Sequence, residues 1–381
     1  MALYIAIFIA IGVIYFLSAQ NGGMSKSTFA CIMIFLALFV GLGDMLGGYD
    51  RYIYAELFDR TADQYKLGED FISSTIYNYY TVEFGYGYLN WIIAHVTANR
   101  YIFILLVTLL MYYLFYRDFI EETDNYGFAI LLFLGLYFFF TFTYLRQALA
   151  VALIGFSYRY IVRRNLILYC LFVALAASFH NSAILFFPVY WLCWRIPSKP
   201  IIIVGAILCT TIGLTSIPSN LFDAYSSISE ETANRSNFIE ATGGLRIEYV
   251  LESVIFLIFL LVNHNPNEKS RRHISHYNIA LCFCAILLIF SKSLNGGRLS
   301  WPFIFGVICA ITPKAENSRG LQLNSFALLF IGFLLYLRIL TGWSFLLSPY
   351  KTFLTPGVRE GDFTHYVYEY DYRYDDDKFY R

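Results

Sequence analysis

Arg146, Arg298, His180, Asp50 and Glu83 are the residues whose types could do chemistry in a chain with only 14% charged residues. A guanidinium keeps its charge in any surroundings and grips a diphosphate through two parallel N–H donors. An imidazole or a carboxylate within reach of a hydroxyl can take its proton. Such a set could offset the charge of an anionic leaving group while a hydroxyl attacks. Gln147 adjoins Arg146, Arg51 adjoins Asp50, and Tyr350 follows Pro349, which makes these three further candidates for binding. Gly296 and Gly297 stand just before Arg298, as a tight turn or as backbone that lets an anion approach closely.

The elements that must position these residues are apolar. Of 381 residues, 58% are hydrophobic and 20% aromatic. Soluble domains carry about a quarter charged residues, so that class is excluded, as are disordered and coiled-coil chains. Lys plus Arg equals Asp plus Glu at 27 each, which leaves no basic field for nucleic acid. The seven cysteines all lie in apolar stretches and read as packing thiols, without disulfide or zinc. His264, His273 and His276 crowd a basic loop, and Asp375-Asp376-Asp377 sit in a Tyr-rich tail. Both read as solvated groups, so no metal site is expected. No P-loop or dinucleotide fingerprint is present, and no cofactor is expected.

A bilayer core takes about 20 apolar residues per helix. Apolar runs fall at roughly 3–18, 28–43, 100–117, 126–143, 146–162, 200–217, 247–263, 276–292, 299–312 and 321–340. The first lacks a basic leader and a clear cleavage site, so it reads as a retained helix. Basic loops mark the cytoplasmic side: Arg159, Arg163 and Arg164; Arg195 and Lys199; Lys269, Arg271 and Arg272; Lys314 and Arg319. Segment 44–83 carries eight acids against three bases, 218–246 four against two, and 341–381 seven against five; these are placed outside. Loop 117–125 is placed inside by parity, against its four acids. Segment 165–194 has basic loops at both ends, so it must go out and return, breaking at Ser178-Phe179-His180-Asn181. Segment 84–99 cannot cross without inverting every later loop, and reads as a re-entrant or interfacial helix. The expected fold is an all-α polytopic membrane protein of about twelve spans, with both termini outside.

Under this topology Arg146, Gln147, His180, Arg298, Asp50, Arg51, Glu83 and Tyr350 gather at the outer leaflet. Ionisable groups at membrane depth cost about 2.5–3.5 kcal/mol each near the centre, which makes them functional candidates before structural ones. Two guanidiniums there suit a lipid-linked diphosphate lying in the headgroup plane, and the abundant aromatic rings suit sugar faces. The chemistry implied is glycosyl transfer from a polyprenyl diphosphate to a sugar hydroxyl.

The same residues lie in stretches that resemble the EpsG family of exopolysaccharide polymerases, akin to Wzy-type polymerases. These are Tyr49-Asp50-Arg51-Tyr52-Ile53-Tyr54, Glu83-Phe84-Gly85-Tyr86-Gly87-Tyr88-Leu89, Arg146-Gln147-Ala148-Leu149-Ala150, Ser178-Phe179-His180-Asn181-Ser182-Ala183 and Arg298-Leu299-Ser300, in order over roughly residues 40–300. The resemblance implies a polymerase domain, read here over 1–350 with outer loops 44–99 and 218–246, and it has no counterpart for the outward-facing Tyr/Asp-rich tail over 351–381. It implies a GT-C-like architecture and inverting, metal-independent transfer at the outer face of a bacterial inner membrane. Donor and acceptor would both be oligosaccharide repeat units on undecaprenyl diphosphate, with a chain-length regulator as a partner. Arg146 and Arg298 would hold the leaving diphosphate, and His180 would orient or deprotonate the acceptor, with Asp50 or Glu83 the rival base.

An O-antigen ligase would use the same donor with a lipid A–core acceptor. A flippase or transporter of lipid-linked sugars would show internal repeats and midplane charges, and neither is evident. A membrane O-acyltransferase would centre on a histidine without paired arginines.

Overall fold

Ser25 accepts the Thr28 N–H on its hydroxyl at 3.0 Å, and Asn99 accepts the N–H groups of Tyr101 and Ile102 on Oδ1 at 2.9 and 3.2 Å. These caps satisfy orphan donors and start two apolar helices. In the computed structural model, which describes residues 1–48, 50–226, 244–313, 323–355 and 378–379, the regular structure is helical apart from one isolated bridge, Gly43 to Thr352. The helices are α1 (Ala2–Gln20), α2 (Lys26–Gly41), α3 (Arg51–Lys66), α4 (Thr75–Tyr79), α5 (Phe84–Ala94), α6 (Arg100–Glu122), α7 (Tyr126–Leu136), α8 (Phe140–Thr143), α9 (Leu145–Val162) and α10 (Leu166–Phe179). They continue with α11 (Val189–Leu192), α12 (Lys199–Leu214), α13 (Ile217–Ser226), α14 (Ile247–Val262), α15 (Arg271–Ile289), α16 (Ile304–Ile311), α17 (Leu323–Gly342) and α18 (Ser344–Leu347).

Among the described residues four helices are long and apolar enough to cross a membrane, Ala2–Gln20, Arg100–Glu122, Arg271–Ile289 and Ser325–Gly342. The pair α12 and α13, bent by 67°, makes a fifth if it counts as one broken span. The chain is thus an all-helical polytopic membrane protein, with fewer full-length spans among the described residues than the twelve expected. The difference lies in how the runs fold. Five further apolar helices have only 10–17 residues, or about 15–25 Å at 1.5 Å per residue. Run 126–143 breaks after Leu136 and resumes only as the single turn α8, and run 299–312 begins as a 3-10 segment, Gly296–Phe303, that contains Pro302.

The expected break near His180 is present. Helix α10 ends at Phe179, and the chain returns as a 3-10 segment, Asn181–Phe186, then α11 after Pro188. Segment 84–99 forms α5, of 11 residues, about 16 Å long and too short to cross. Its exposed stripe is Phe84, Tyr88 and Ile92, spaced one turn apart.

The chain divides into two units, Met1–Leu153 with Leu175–Asn181 and Thr312–Arg381, and Ile154–Ala174 with Ser182–Ile311. In the first, α2 packs along α6, α7 lies against α1 and α17, and α3 packs on α4, α5 and α6. Helices α7 and α17 approach so closely at Gly135 that a Cβ there would lie 2.9 Å from the Gly332 Cα. Small residues at such crossings let membrane helices touch backbone to backbone. In the second unit α15 is central, contacted by α12, α14, α16 and the 3-10 segment.

Tyr49, most of loop 218–246, Lys314, Arg319, Asp375-Asp376-Asp377 and residues 356–377 of the tail lie outside the described residues. Two described residues of the tail, Lys378 and Phe379, make contacts with the first unit. Lys378 is buried, its carbonyl accepts from Asn99 Nδ2 at 2.7 Å, and the Phe379 ring lies 5.6 Å from that of Phe353. Phe353 itself stacks on Tyr101 at 5.3 Å, so an aromatic surface is there to receive it.

Candidate functional site

Two of the expected binding residues complete a helix end. The last four carbonyls of α2 need donor partners from outside the helix ladder. Leu42 N–H donates to Leu38 O at 2.9 Å and Gly43 N–H to Val40 O at 3.3 Å. The Tyr350 hydroxyl donates to Phe39 O at 2.8 Å, and Arg51 Nη2 donates to Gly41 O at 3.1 Å and to Gly43 O at 2.8 Å. Arg51 is wholly buried, and its cation sits at the negative end of the helix dipole. The Tyr350 ring stacks on Phe39 at 4.2 Å, and burial pushes its phenol up to about 12 against the pull of Arg51. Tyr350→Phe is therefore expected to lower stability by about 1 kcal/mol, the worth of one hydrogen bond. Thermal unfolding in detergent measures it, and an unchanged midpoint would refute the cap.

Glu83 lies at the start of α5 and is fully buried. Its Oε2 pairs with Arg146 Nη1, and its Oε1 accepts the Asn181 N–H at 2.9 Å. One carboxylate thus ties the start of α5 to the start of α9 and to the turn after α10. The turn and α5 meet tightly, because a Cβ on Gly85 would lie 3.0 Å from the carbonyl oxygen of Ser178. That contact explains a glycine directly after Phe84.

Arg146 keeps a side chain 20% exposed beside a carboxylate that is not exposed at all. Its Nε points to the Tyr54 hydroxyl at 3.5 Å, and its guanidinium lies over the Tyr80 ring at 4.7 Å and the Tyr54 ring at 5.6 Å. Nη2 meets no hydrogen-bond acceptor among the described residues. Burial holds the Tyr80 phenol well above its ordinary value, and the nearby Arg146 charge offsets only part of this. Tyr80 therefore stays neutral, and Glu83 supplies the counter-charge.

His180 is half-buried directly after α10, its N–H donating to Ala176 O at 3.0 Å. It precedes the Asn181 amide that Glu83 holds. Asp50 is half-buried before α3, and its carbonyl accepts the N–H of Tyr54 at 3.1 Å. Gln147 is buried next to Arg146 on α9. The first unit thus brings together Glu83, Arg146 and the His180 turn, with Asp50 one helical turn from Tyr54.

Arg298 belongs to the second unit, half-buried in the 3-10 segment, with its guanidinium 5.5 Å from the centre of the Trp301 ring. The two glycines before it serve packing. A Cβ on Gly297 would lie 2.6 Å from the Tyr249 ring, and one on Gly296 would lie 2.7 Å from the Phe290 and Ser293 Cβ atoms. Tyr249 then donates to Leu294 O at 2.9 Å.

Tyr54 and Tyr80 were not among the expected site residues. The available signal was general: an arginine at membrane depth needs an aromatic face or a carboxylate, and tyrosines are plentiful on both sides of Glu83.

No curated protein and no solved structure matches the chain. A family model does, over residues 27–352, and its description is the EpsG family. With that match over most of its length, and with the apolar helices and buried Arg146–Glu83 pair described above, the chain belongs to the EpsG family of Wzy-like exopolysaccharide polymerases.

Proposed function

We propose that this glycosyltransferase joins oligosaccharide repeat units carried on undecaprenyl diphosphate, by inverting transfer that needs no metal. The observation that carries the reading is Arg146, held by Glu83 and two tyrosines with Nη2 left open, beside the His180 turn. In this reading the acceptor is the non-reducing end of a new repeat unit. Its hydroxyl oxygen bonds to the anomeric carbon of the growing chain while the bond from that carbon to the phosphate oxygen breaks. Both electrons of that bond leave with the lipid diphosphate, and the hydroxyl proton passes to His180. Asp50 is the rival base. Arg146 offsets the charge that grows on the leaving oxygen, the kind of stabilisation that often dominates a rate enhancement. Glu83, fully buried with both oxygens engaged, orients Arg146 and is not the base.

The short helices complete about twelve passes of GT-C-like architecture, with loops 44–99 and 218–246 and the tail 351–381 facing outward from a bacterial inner membrane. The basic loops support this orientation. Arg51 and Tyr350 act through the α2 end that they cap.

The test supplies the purified chain with a defined undecaprenyl-diphosphate repeat unit and resolves the products by length. A ladder is expected with the wild type and none with Arg146→Ala. Arg298→Lys should also impair it, because lysine keeps the charge but loses the planar fork. A product formed only after lipid A–core is added would make the chain a ligase. No product under either condition would overturn the transferase reading in favour of transport.

A further inference from the structure

The proposed role of Arg146 leaves open which of its donors the ligand meets. A guanidinium has five N–H groups in a fixed plane. Here Nη1 is engaged by Glu83 and Nε points to the Tyr54 hydroxyl at 3.5 Å. The Tyr80 ring centre lies 4.7 Å from the guanidinium carbon. Among the described residues Nη2 meets no acceptor and Nη1 keeps a second N–H, on a side chain that is 20% exposed.

The rings that make this seat are themselves fixed. Tyr54 is 3% exposed, and Tyr80 and Tyr86 are 1% exposed. Tyr86 stands edge-on to both, 5.7 Å from Tyr54 at 65° and 5.3 Å from Tyr80 at 89°. The three come from α3, the turn between α4 and α5, and α5, so the seat is built by the same short helices that carry Glu83.

We propose that Tyr54 and Tyr80 are positioning residues that fix the plane of Arg146, so that its Nη2 side faces the leaving diphosphate. This rests on the reading of Arg146 as a diphosphate ligand. Arginine side chains lose rotamer freedom on binding an anion. Here that loss is taken during folding, so the open donor already points where charge will grow. The two tyrosines never touch the substrate. Their effect should appear in kcat and in affinity for the diphosphate product, with the KM for acceptor little changed.

The experiment measures two things on the full-length purified chain, polymer formation and binding of undecaprenyl diphosphate. Tyr80→Leu removes the ring and is expected to lower kcat and product affinity about tenfold, the scale of a desolvated cation–π contact. Tyr80→Phe keeps the ring and should stay within about twofold of wild type, since the contact is made by the ring face. Tyr54→Phe loses a long hydrogen bond and should cost a few-fold. The deciding step places Tyr80→Leu in an Arg146→Gln background and reads product binding, which needs no turnover. If the tyrosine acts through Arg146, the second substitution adds nothing there. An equal loss in both backgrounds would show a merely structural ring and overturn the proposal. Loss in Tyr80→Phe equal to that in Tyr80→Leu would also overturn it, by assigning the effect to the hydroxyl. Wild-type product binding and polymer from Arg146→Gln alone would instead remove the diphosphate reading on which the inference stands.

Discussion

His180→Ala is expected to slow polymerisation by about 10²–10⁴, the usual worth of a positioned general base, while donor binding stays near that of the wild type. The turn at His180 is held by main-chain atoms. The His180 N–H donates to Ala176 O at 3.0 Å, and the next amide, Asn181, donates to Glu83 Oε1 at 2.9 Å. Neither of these two bonds uses the imidazole, and a thermal midpoint measured beside the rate separates proton transfer from folding. Single-turnover rates with preloaded donor are the measurement. A variant polymerising at the wild-type rate would pass the base role to Asp50.

Glu83→Gln should have the largest combined effect on stability and rate. The substitution keeps shape but places a neutral amide against two donors, Arg146 Nη1 and the Asn181 N–H. Breaking a buried ion pair by removing one partner costs about 3–5 kcal/mol, and the 20% exposure of Arg146 puts this case at the lower end. With the anchor gone, Arg146 turns toward water, and the charge on the leaving diphosphate loses its partner. Thermal unfolding and the product ladder, measured together, check both halves. A full ladder from a destabilised variant would show that Arg146 holds its place through the tyrosines alone.

The parts legible in the sequence were those with a local signature. Arg146 and His180 were visible as ionisable residues within apolar surroundings and Glu83 as the last acid of an outer acidic segment, and the first unit brings Glu83, Arg146 and the His180 turn together. The helix break at His180 and the short α5 followed from where basic loops could stand. The parts that were not legible depend on distant partners. Arg51 and Tyr350 looked like binding residues because nothing near them in sequence shows that both serve the carbonyls closing α2, and Tyr350 lies 311 positions from Phe39. Tyr80 was invisible for the same reason. Gly296 and Gly297 resembled an anion turn until Tyr249 and Phe290 were seen packed against them. Hydropathy also counted apolar runs without registering where proline or a 3-10 turn ends a helix.

The cap on α2 also bears on the order in which the protein is made. The Tyr4 hydroxyl reaches Leu347 O, the Tyr336 hydroxyl reaches Tyr4 O, and Phe39 O waits for Tyr350. The opening helices therefore enter the membrane long before their last polar partners leave the ribosome. Until then their bonding groups must be screened by lipid headgroups, by water or by the insertion machinery. A chain released early, before residue 350, would hold every residue of the Arg146–Glu83 cluster and still lack the bonds that close its first unit. Closure of the first unit thus waits on synthesis of the stretch from Tyr336 to Tyr350, and ties that stretch to the amino-terminal helices.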